Sequence, residues 1–380
     1  MGSDDNALAL AGPGERWIAS LSPWPDRFGL ERIRALLAAL GRPERAYPAI
    51  HVVGTNGKTT TTRMIEAMLA GEGLNVGAFT SPHVTGWSER IRVGGVEADF
   101  ERAIARIRSP ADELGATQFE ALTAAALAEF AALGVEVAVV EAGLGGRFDA
   151  TNVLRSPVQV LTNVALEHTH VLGETREAIA AEKLAVVQPG STVVLGEPEW
   201  EALARAGGAA AVVIAGRSNL ALALAASESF LGHAVDPSPA ERLRVPGRLE
   251  RRGESPLEIW DGAHNLAAVG HLLARVPTRR YVLVASILDD KDVDGMLAAL
   301  SALGETFVAT RSTHARALPA DALAARARAR FPVTEAVPDP AAAVERAREL
   351  AGPDGALLVT GSLYLLADLR RVGPSSGVAT

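Results

Sequence analysis

Short aliphatic runs alternate with alanine-rich, helix-length stretches along almost the whole chain, and that alternation restricts its fold more than any other feature. IHVV before Gly54, VAVV before Glu141, VQVLT at 158–162, LEIW before Asp261, YVLVA at 281–285, TFVAT at 306–310 and ALLVT at 356–360 are the clearest runs. Each is too short for a helix and is bounded by glycine or polar residues, which is how parallel strands buried on both faces read. The class is therefore α/β. A chain of 380 residues is long for one core and comfortable for two. Between about 230 and 256 the pattern lapses into LGHAVDPSPAERLRVPGRLERRGESP before it restarts, and the domain boundary is expected there. The spans are 1–240 and 241–380, and the tail VGPSSGVAT reads as a loose terminus.

Composition closes several routes. Apolar residues make up 48% and charged residues 22%, as in an ordinary globular protein. With no cysteine, disulfides, thiolate zinc sites and cysteine nucleophiles are excluded together, and any metal must be held by oxygen or imidazole. The opening MGSDDNALALAGPGERWIAS has no basic start and no sustained apolar stretch, and Asn6 breaks the myristoylation pattern. No run reaches the roughly 18 apolar residues of a membrane span. A cytoplasmic protein without a membrane partner is expected. The net charge of −8 and the lack of Lys/Arg runs interleaved with aromatics argue against a nucleic-acid partner. An anionic small substrate stays open, because it responds to a local field.

The strand IHVV runs into GTNGKTTTT and then the helical RMIEAMLAGEG, which Gly71 and Gly73 stop. Amides of a glycine-rich turn at a helix N-terminus converge on one locus, where the helix dipole also favours anions. Gly54, Thr55, Asn56 and Gly57 would supply that turn, Lys58 a full positive charge, and Thr59 or Thr60 a hydroxyl for Mg²⁺. The strict P-loop pattern fails, because its first glycine falls on Val52; a tighter loop from Gly54 to Lys58 stands instead. The plainer reading is a strand-to-helix turn with an exposed lysine.

VAVV ends in EAGLGGRFDATN, a glycine-dense loop carrying Glu141, Arg147, Asp149 and Asn152. In open parallel sheets ligands sit beyond the carboxyl ends of the strands, so this loop should face the phosphate loop, with Glu141 a candidate Mg²⁺ ligand. VQVLTNVAL delivers Glu167 and His168 to the same edge; His168 could complete a second metal site or be hydrogen-bonded scaffold. Thr80, Ser81, Pro82 and His83 could bring another hydroxyl to the metal or form a plain turn.

Taken in order, GTNGK, TSPH, EAGLGGRFDATN, NVALEHTHVLG, AAEK, PGR, DGAHN and TGSLYL make a set that resembles folylpolyglutamate synthase and dihydrofolate synthase, within the Mur ligase superfamily. The match runs from RFGLERI at 27–33 to TGSLYL at 360–365. The resemblance implies a P-loop-type, mostly parallel sheet domain followed by a smaller Rossmann-like α/β domain. It implies an ATP-dependent ligase that joins L-glutamate to a folate or dihydropteroate carboxylate through an acyl phosphate, with ATP and two Mg²⁺ ions. Lys58 and the amides near Gly54 and Gly57 would hold phosphates, and Ser81, Glu141 and His168 would bind Mg²⁺. Asn219, Arg248 and Asp261 would contact the nucleotide, while His264 and Asn265 would line an interdomain cleft, His264 being a conceivable base. Lys183 matches the lysine carbamylated in the superfamily: an ammonium is repelled by Mg²⁺, whereas its CO₂ adduct is an anion with two acceptor oxygens. Without the resemblance, Lys183 reads as a surface lysine beside Glu182. Phe119 in TQFEALT, together with Asp149 and Thr151, would contribute to the pterin pocket; Phe119 otherwise reads as core.

Three departures blur the substrate without touching the ligase chemistry. Thr59 stands where folate-directed members often have glycine, His170 where aspartate is common, and the stretch 197–217 is shorter than in many relatives. The nearest rival is a peptidoglycan amino-acid ligase, for which about fifty residues before the loop are too few for its additional domain. A P-loop switch or binding module would need a guanine-reading NKxD, which is missing. A monomer acting on small molecules is expected.

Overall fold

The computed structural model describes residues 12–371; most of the N-terminal opening, and the tail expected to be loose, lie outside the described residues. The chain forms two compact units. One comprises the described residues up to Pro82 together with Trp87–Leu243, and the other His83–Gly86 with the described residues from Arg244 onward. The division falls in the stretch where the strand pattern lapses.

The first unit is built on an eight-stranded sheet. Its strands are β1 (Ala49–Val53), β2 (Val76–Phe79), β3 (Ile91–Val93), β4 (Val96–Glu97), β5 (Val137–Glu141), β6 (Val158–Leu161), β7 (Thr192–Leu195) and β8 (Ala211–Ile214). They lie in the order β4-β3-β2-β5-β1-β6-β7-β8. All neighbours are parallel except β2 with β3 and β3 with β4. Every residue of β1 and β5 is buried, as a strand sandwiched between two helical layers requires. Alternation along β1 sends Ile50 and Val52 into a core with Ile65, Met68, Leu69 and Leu222, under the helices Lys58–Gly71 and Asn219–Leu231. Ala49 faces the opposite core with Leu36, Phe79, Leu122 and Phe130, beneath Glu31–Ala39, Phe100–Leu114 and Gln118–Ala132. The last of these helices opens on a capping box, Thr117 with Glu120, which a Thr two residues before Phe119 and a Glu one residue after it encode.

The second unit has a six-stranded sheet of β9 (Glu250–Glu254), β10 (Leu257–Trp260), β11 (Val282–Ala285), β12 (Thr306–Ala309), β13 (Val333–Ala336) and β14 (Ala356–Thr360). The order is β13-β12-β11-β14-β10-β9, parallel except for β9. One face buries Leu283, Phe307, Met296 and Phe331, and the other Val284, Val308, Val359 and Leu366, so helices cover both sides in a doubly wound arrangement. Val84, from the segment after the Ser81–Pro82 turn, packs into the second of these cores beside Trp260 and Leu366. Among the described residues no helix is long and apolar enough to cross a membrane.

Candidate active site

Strand order explains why distant loops meet. β2, β5 and β1 are parallel neighbours, so whatever follows their carboxyl ends is delivered to one place. Ser81 follows β2, Glu141 ends β5, and the loop Gly54–Gly57 follows β1 before the helix that starts at Lys58. Glu141 is buried, with Oε1 accepting from Thr59 Oγ1 at 3.0 Å and Oε2 accepting from the Ser81 amide at 3.0 Å. A buried carboxylate beside two hydroxyl-bearing residues, with no sulfur, is the donor set of a hard divalent cation. No group of three or more His, Asp or Glu side chains gathers as a metal cluster among the described residues. Mg²⁺ does not require one, since it takes one or two carboxylates and fills its shell with water and phosphate oxygens.

The loop itself is clamped from the β6 side. Thr55 donates its amide to the Asn163 carbonyl at 3.0 Å, and the Asn56 amide donates to Asn163 Oδ1 at 3.1 Å. Asn163 Nδ2 and Thr162 Oγ1 both donate to the Asn56 carbonyl, at 2.9 and 2.7 Å. Gly54 has φ +149, and a Cβ there would sit 1.9 Å from Thr162 Oγ1; Gly57 has φ +81, and a Cβ would meet Asn219 Oδ1 at 2.5 Å. Glycine is therefore demanded at both positions, once by a close approach and once by a left-handed turn as well. Lys58 curls back to donate to the Thr55 carbonyl at 3.3 Å, and Thr60 is half-buried one residue beyond Thr59. Thr162 and Asn163 escaped the sequence reading; the available signal was a Thr-Asn pair directly after a strand, at the edge where ligands bind.

Lys183 lies on the helix Arg176–Leu184 and is 4% exposed, so the surface-lysine reading fails. Its Nζ donates to the Gly54 carbonyl at 2.9 Å. Burial, and then the charge of Lys58, depress its pKa to about 7 against the opposing pull of Glu167, Asp149 and Glu182. His168 sits just before the short helix Thr169–Leu172 with φ 51, a left-handed backbone uncommon for a non-glycine residue. Its ring lies 6.4 Å from that of His170.

The DATN turn is locked from within. Asp149 accepts from the Leu144 amide at 2.8 Å, from the Thr151 amide at 3.0 Å and from Thr151 Oγ1. Burial raises its pKa while these hydrogen bonds oppose the rise. Thr151 Oγ1 also lies 2.8 Å from His51 Nε2, inside β1. Because the threonine hydroxyl donates to the carboxylate, it must accept from the histidine, which places a proton on Nε2. Burial lowers the His51 pKa to about 4, which keeps it neutral at physiological pH. Sequence reading missed His51, since a polar residue in a five-residue strand gives no hint of a partner a hundred residues away. Thr151→Val would leave His51 Nε2 without its partner and remove one of the three hydrogen bonds to Asp149; it is expected to lower stability by roughly 1–3 kcal/mol, read as a reduced urea midpoint at unchanged m-value. Phe119 is half-buried, its ring 5.9 Å from Phe79 and against Gly143, where a Cβ would meet it at 2.6 Å. It therefore packs inward and floors the loop after β5 at the same time.

In the second unit, Asp261 follows β10 and accepts from the amides of Leu249 and Ala263, both at 2.9 Å. Burial raises its pKa, opposed first by the Arg248 charge. Arg248 Nη1 donates to the Gly247 carbonyl at 3.1 Å. His264 Nδ1 is 2.8 Å from the Gly262 carbonyl, which can only accept, so Nδ1 carries the proton. Asn265 caps the helix Leu266–Leu273, taking the Ala268 amide at 2.8 Å.

Two family descriptions match the chain: "Mur ligase middle domain" over residues 52–195 and "Mur ligase, glutamate ligase domain" over residues 247–363. The chain is 34% identical to the dihydrofolate synthase/folylpolyglutamate synthase of Mycobacterium tuberculosis, over 81% of this chain and 80% of that one. A structure of the Mycobacterium tuberculosis folylpolyglutamate synthase complexed with ADP superposes with a TM-score of 0.87 at 30% identity, covering 97% of this chain and 99% of the other. The bifunctional folylpolyglutamate synthase/dihydrofolate synthase of Yersinia pestis, complexed with AMPPNP and a Mn ion, gives 0.85 at 29% identity, covering 95% and 98%.

Proposed function

We infer the activity from membership: the chain belongs to the folylpolyglutamate synthase/dihydrofolate synthase family of the Mur ligases. It is an ATP-dependent ligase that joins L-glutamate to a folate or dihydropteroate carboxylate. The observation that carries the site is the meeting of Thr59, Ser81 and Glu141 beside the phosphate loop.

In the reaction, a carboxylate oxygen of the pterin substrate attacks the γ-phosphorus of ATP and the bond to ADP breaks, leaving an acyl phosphate. The glutamate amine then attacks the acyl carbon, loses a proton, and inorganic phosphate departs. The phosphates are assigned to Lys58 and the amides that open its helix, which is where an anion is best placed; Gly54–Gly57 shape the loop, with the Thr55 and Asn56 amides committed to Asn163, and Thr59 and Thr60 carry hydroxyls beside it. Glu141, Ser81 and His168 would hold Mg²⁺, which when bound offsets charge on the transferring group. Catalysis then rests on positioning and on fixed positive charge. Asn219, packed on Gly57, and Arg248 with Asp261 are assigned to the nucleotide; Phe119, Asp149, Thr151 and Asn265 are assigned to the substrates. His264 is assigned as the base that takes the amine proton.

Lys183 is assigned a carbamate. The neutral amine attacks CO₂, an N–C bond forms and one proton is lost, giving an anion close to the loop; a pKa of about 7 supports this, because only the neutral amine reacts. The division of labour at 240/241 accords with the two family matches, one ending at 195 and the other beginning at 247. We read the protein as a cytoplasmic monomer acting on small molecules, without nucleic-acid or membrane partners.

Phosphate release measured with ATP, Mg²⁺ and glutamate tests the substrate. Turnover is expected with dihydropteroate or tetrahydrofolate and not with a UDP-muramyl peptide. Activity on the muramyl peptide alone would move the chain to the peptidoglycan branch, and hydrolysis indifferent to every acceptor and to glutamate would favour a nucleotide switch.

A further inference from the structure

At the opposite edge of the first sheet lies a concavity that the ligase reaction does not use. The chain enters β1 from Arg42–Arg45, β6 from Arg155 and β7 from Gln188, and these amino-terminal approaches are stitched together. Ala49 donates its amide to the Arg155 carbonyl at 2.9 Å, and Ser156 donates to Gln188 Oε1 at 3.1 Å. Arg34, Arg42, Glu44, Arg45, Arg155 and Gln188 line a cavity of about 660 Å³ there. A second concavity of about 750 Å³ shares Arg42 and Arg45. The phosphate loop follows the carboxyl end of the same five-residue β1, so the cavity and the loop are separated by a strand length, roughly 16 Å.

Four guanidinium groups against one carboxylate line this cavity in a chain whose net charge is −8. The guanidinium groups of Arg34 and Arg155 make no hydrogen bond or ion pair among the described residues. Glu44 is 5% exposed; its Oε1 lies 3.7 Å from Arg42 and 3.8 Å from Arg45, while its Oε2 is buried without a hydrogen-bond partner. Arg42 also keeps a left-handed backbone at φ 63, a conformation that persists in a non-glycine residue only where the surroundings impose it. Like charges crowded on a concave surface are costly without a counter-ion. An anion would offset that cost, because the guanidinium fork fits carboxylate and phosphate alike.

We propose that this basal cavity is a second anion site, separate from the phosphate loop, for a small phosphate- or carboxylate-bearing molecule. The arginines take the anionic group. The site is independent of which folate the ligase uses.

Titration calorimetry without metal, using ribose 5-phosphate and citrate as probes, tests this on the full chain. At least one probe is expected to bind wild type and Lys58→Ala alike, to weaken as salt is raised, and to lose about tenfold or more in affinity in Arg34→Ala/Arg155→Ala. Those two arginines are exposed and unpaired, so the double variant should keep the wild-type unfolding midpoint. Preference for one probe tells a phosphate source from a carboxylate one. The proposal is overturned if neither probe binds, if binding disappears in Lys58→Ala, or if the arginine variant binds as well as wild type.

Discussion

Lys58→Ala is expected to abolish turnover, lowering kcat by about 10³-fold or more, the scale on which enzymes lose a fixed charge aimed at a developing anion. The fold should survive, because Lys58 is only half-buried and its one hydrogen bond, 3.3 Å to Thr55, is long. Glu141→Ala is expected to be equally inactive for a different reason. It leaves the Thr59 hydroxyl and the Ser81 amide without their acceptor, at a cost of roughly 1–3 kcal/mol. Unfolding should remain cooperative at a lower midpoint. The two variants separate in binding: Lys58→Ala should weaken ADP even without metal, whereas Glu141→Ala should keep metal-free ADP binding and lose the gain that Mg²⁺ brings. Near-wild-type turnover in either variant would dismantle the assignment of the site.

Much of this was legible before any coordinates. The seven apolar runs became β1, β5, β6, β10, β11, β12 and β14, because strands buried on both faces leave an unbroken aliphatic signature. The edge strands β4 and β13 carry polar residues and lack it, whereas β8 reads AVVI yet is mostly exposed. Gly54, Gly57 and Lys58 announced an anion cradle through local chemistry alone. The contact between Glu141 and Ser81 was a different matter, since it depends on β2 and β5 being neighbours, and strand order is a property of the whole sheet. His51 with Thr151, and Asn163 with Asn56, were hidden for the same reason: each is a pairing of two residues about a hundred positions apart. The basal arginines come from a helix and two separate approaches to the sheet, and no local charge run marks them.

Lys183 offers the sharpest test, because its burial makes opposite demands on its two protonation states. Its pKa falls from 10.5 to about 7 in the fold, chiefly through desolvation. Between those values the unfolded chain binds a proton that the folded one does not, so stability contributed at this residue rises with pH across that window, by at most about 1.4 kcal/mol per unit. Lys183→Met should flatten that slope in CO₂-free buffer. Adding labelled bicarbonate should give a carbamate resonance in wild type and none in the variant, and turnover in CO₂-depleted wild type should climb as bicarbonate is restored. Lys183→Ala should lose about 10²-fold or more in kcat, since an anion is removed from beside the phosphate loop. Formate or acetate could occupy the space left behind and restore part of the rate. An inactive Lys183→Ala that neither acid rescues, with no carbamate signal in wild type, would mean that the amine itself acts through its hydrogen bond to Gly54. Full activity in that variant would leave the lysine a buried strut.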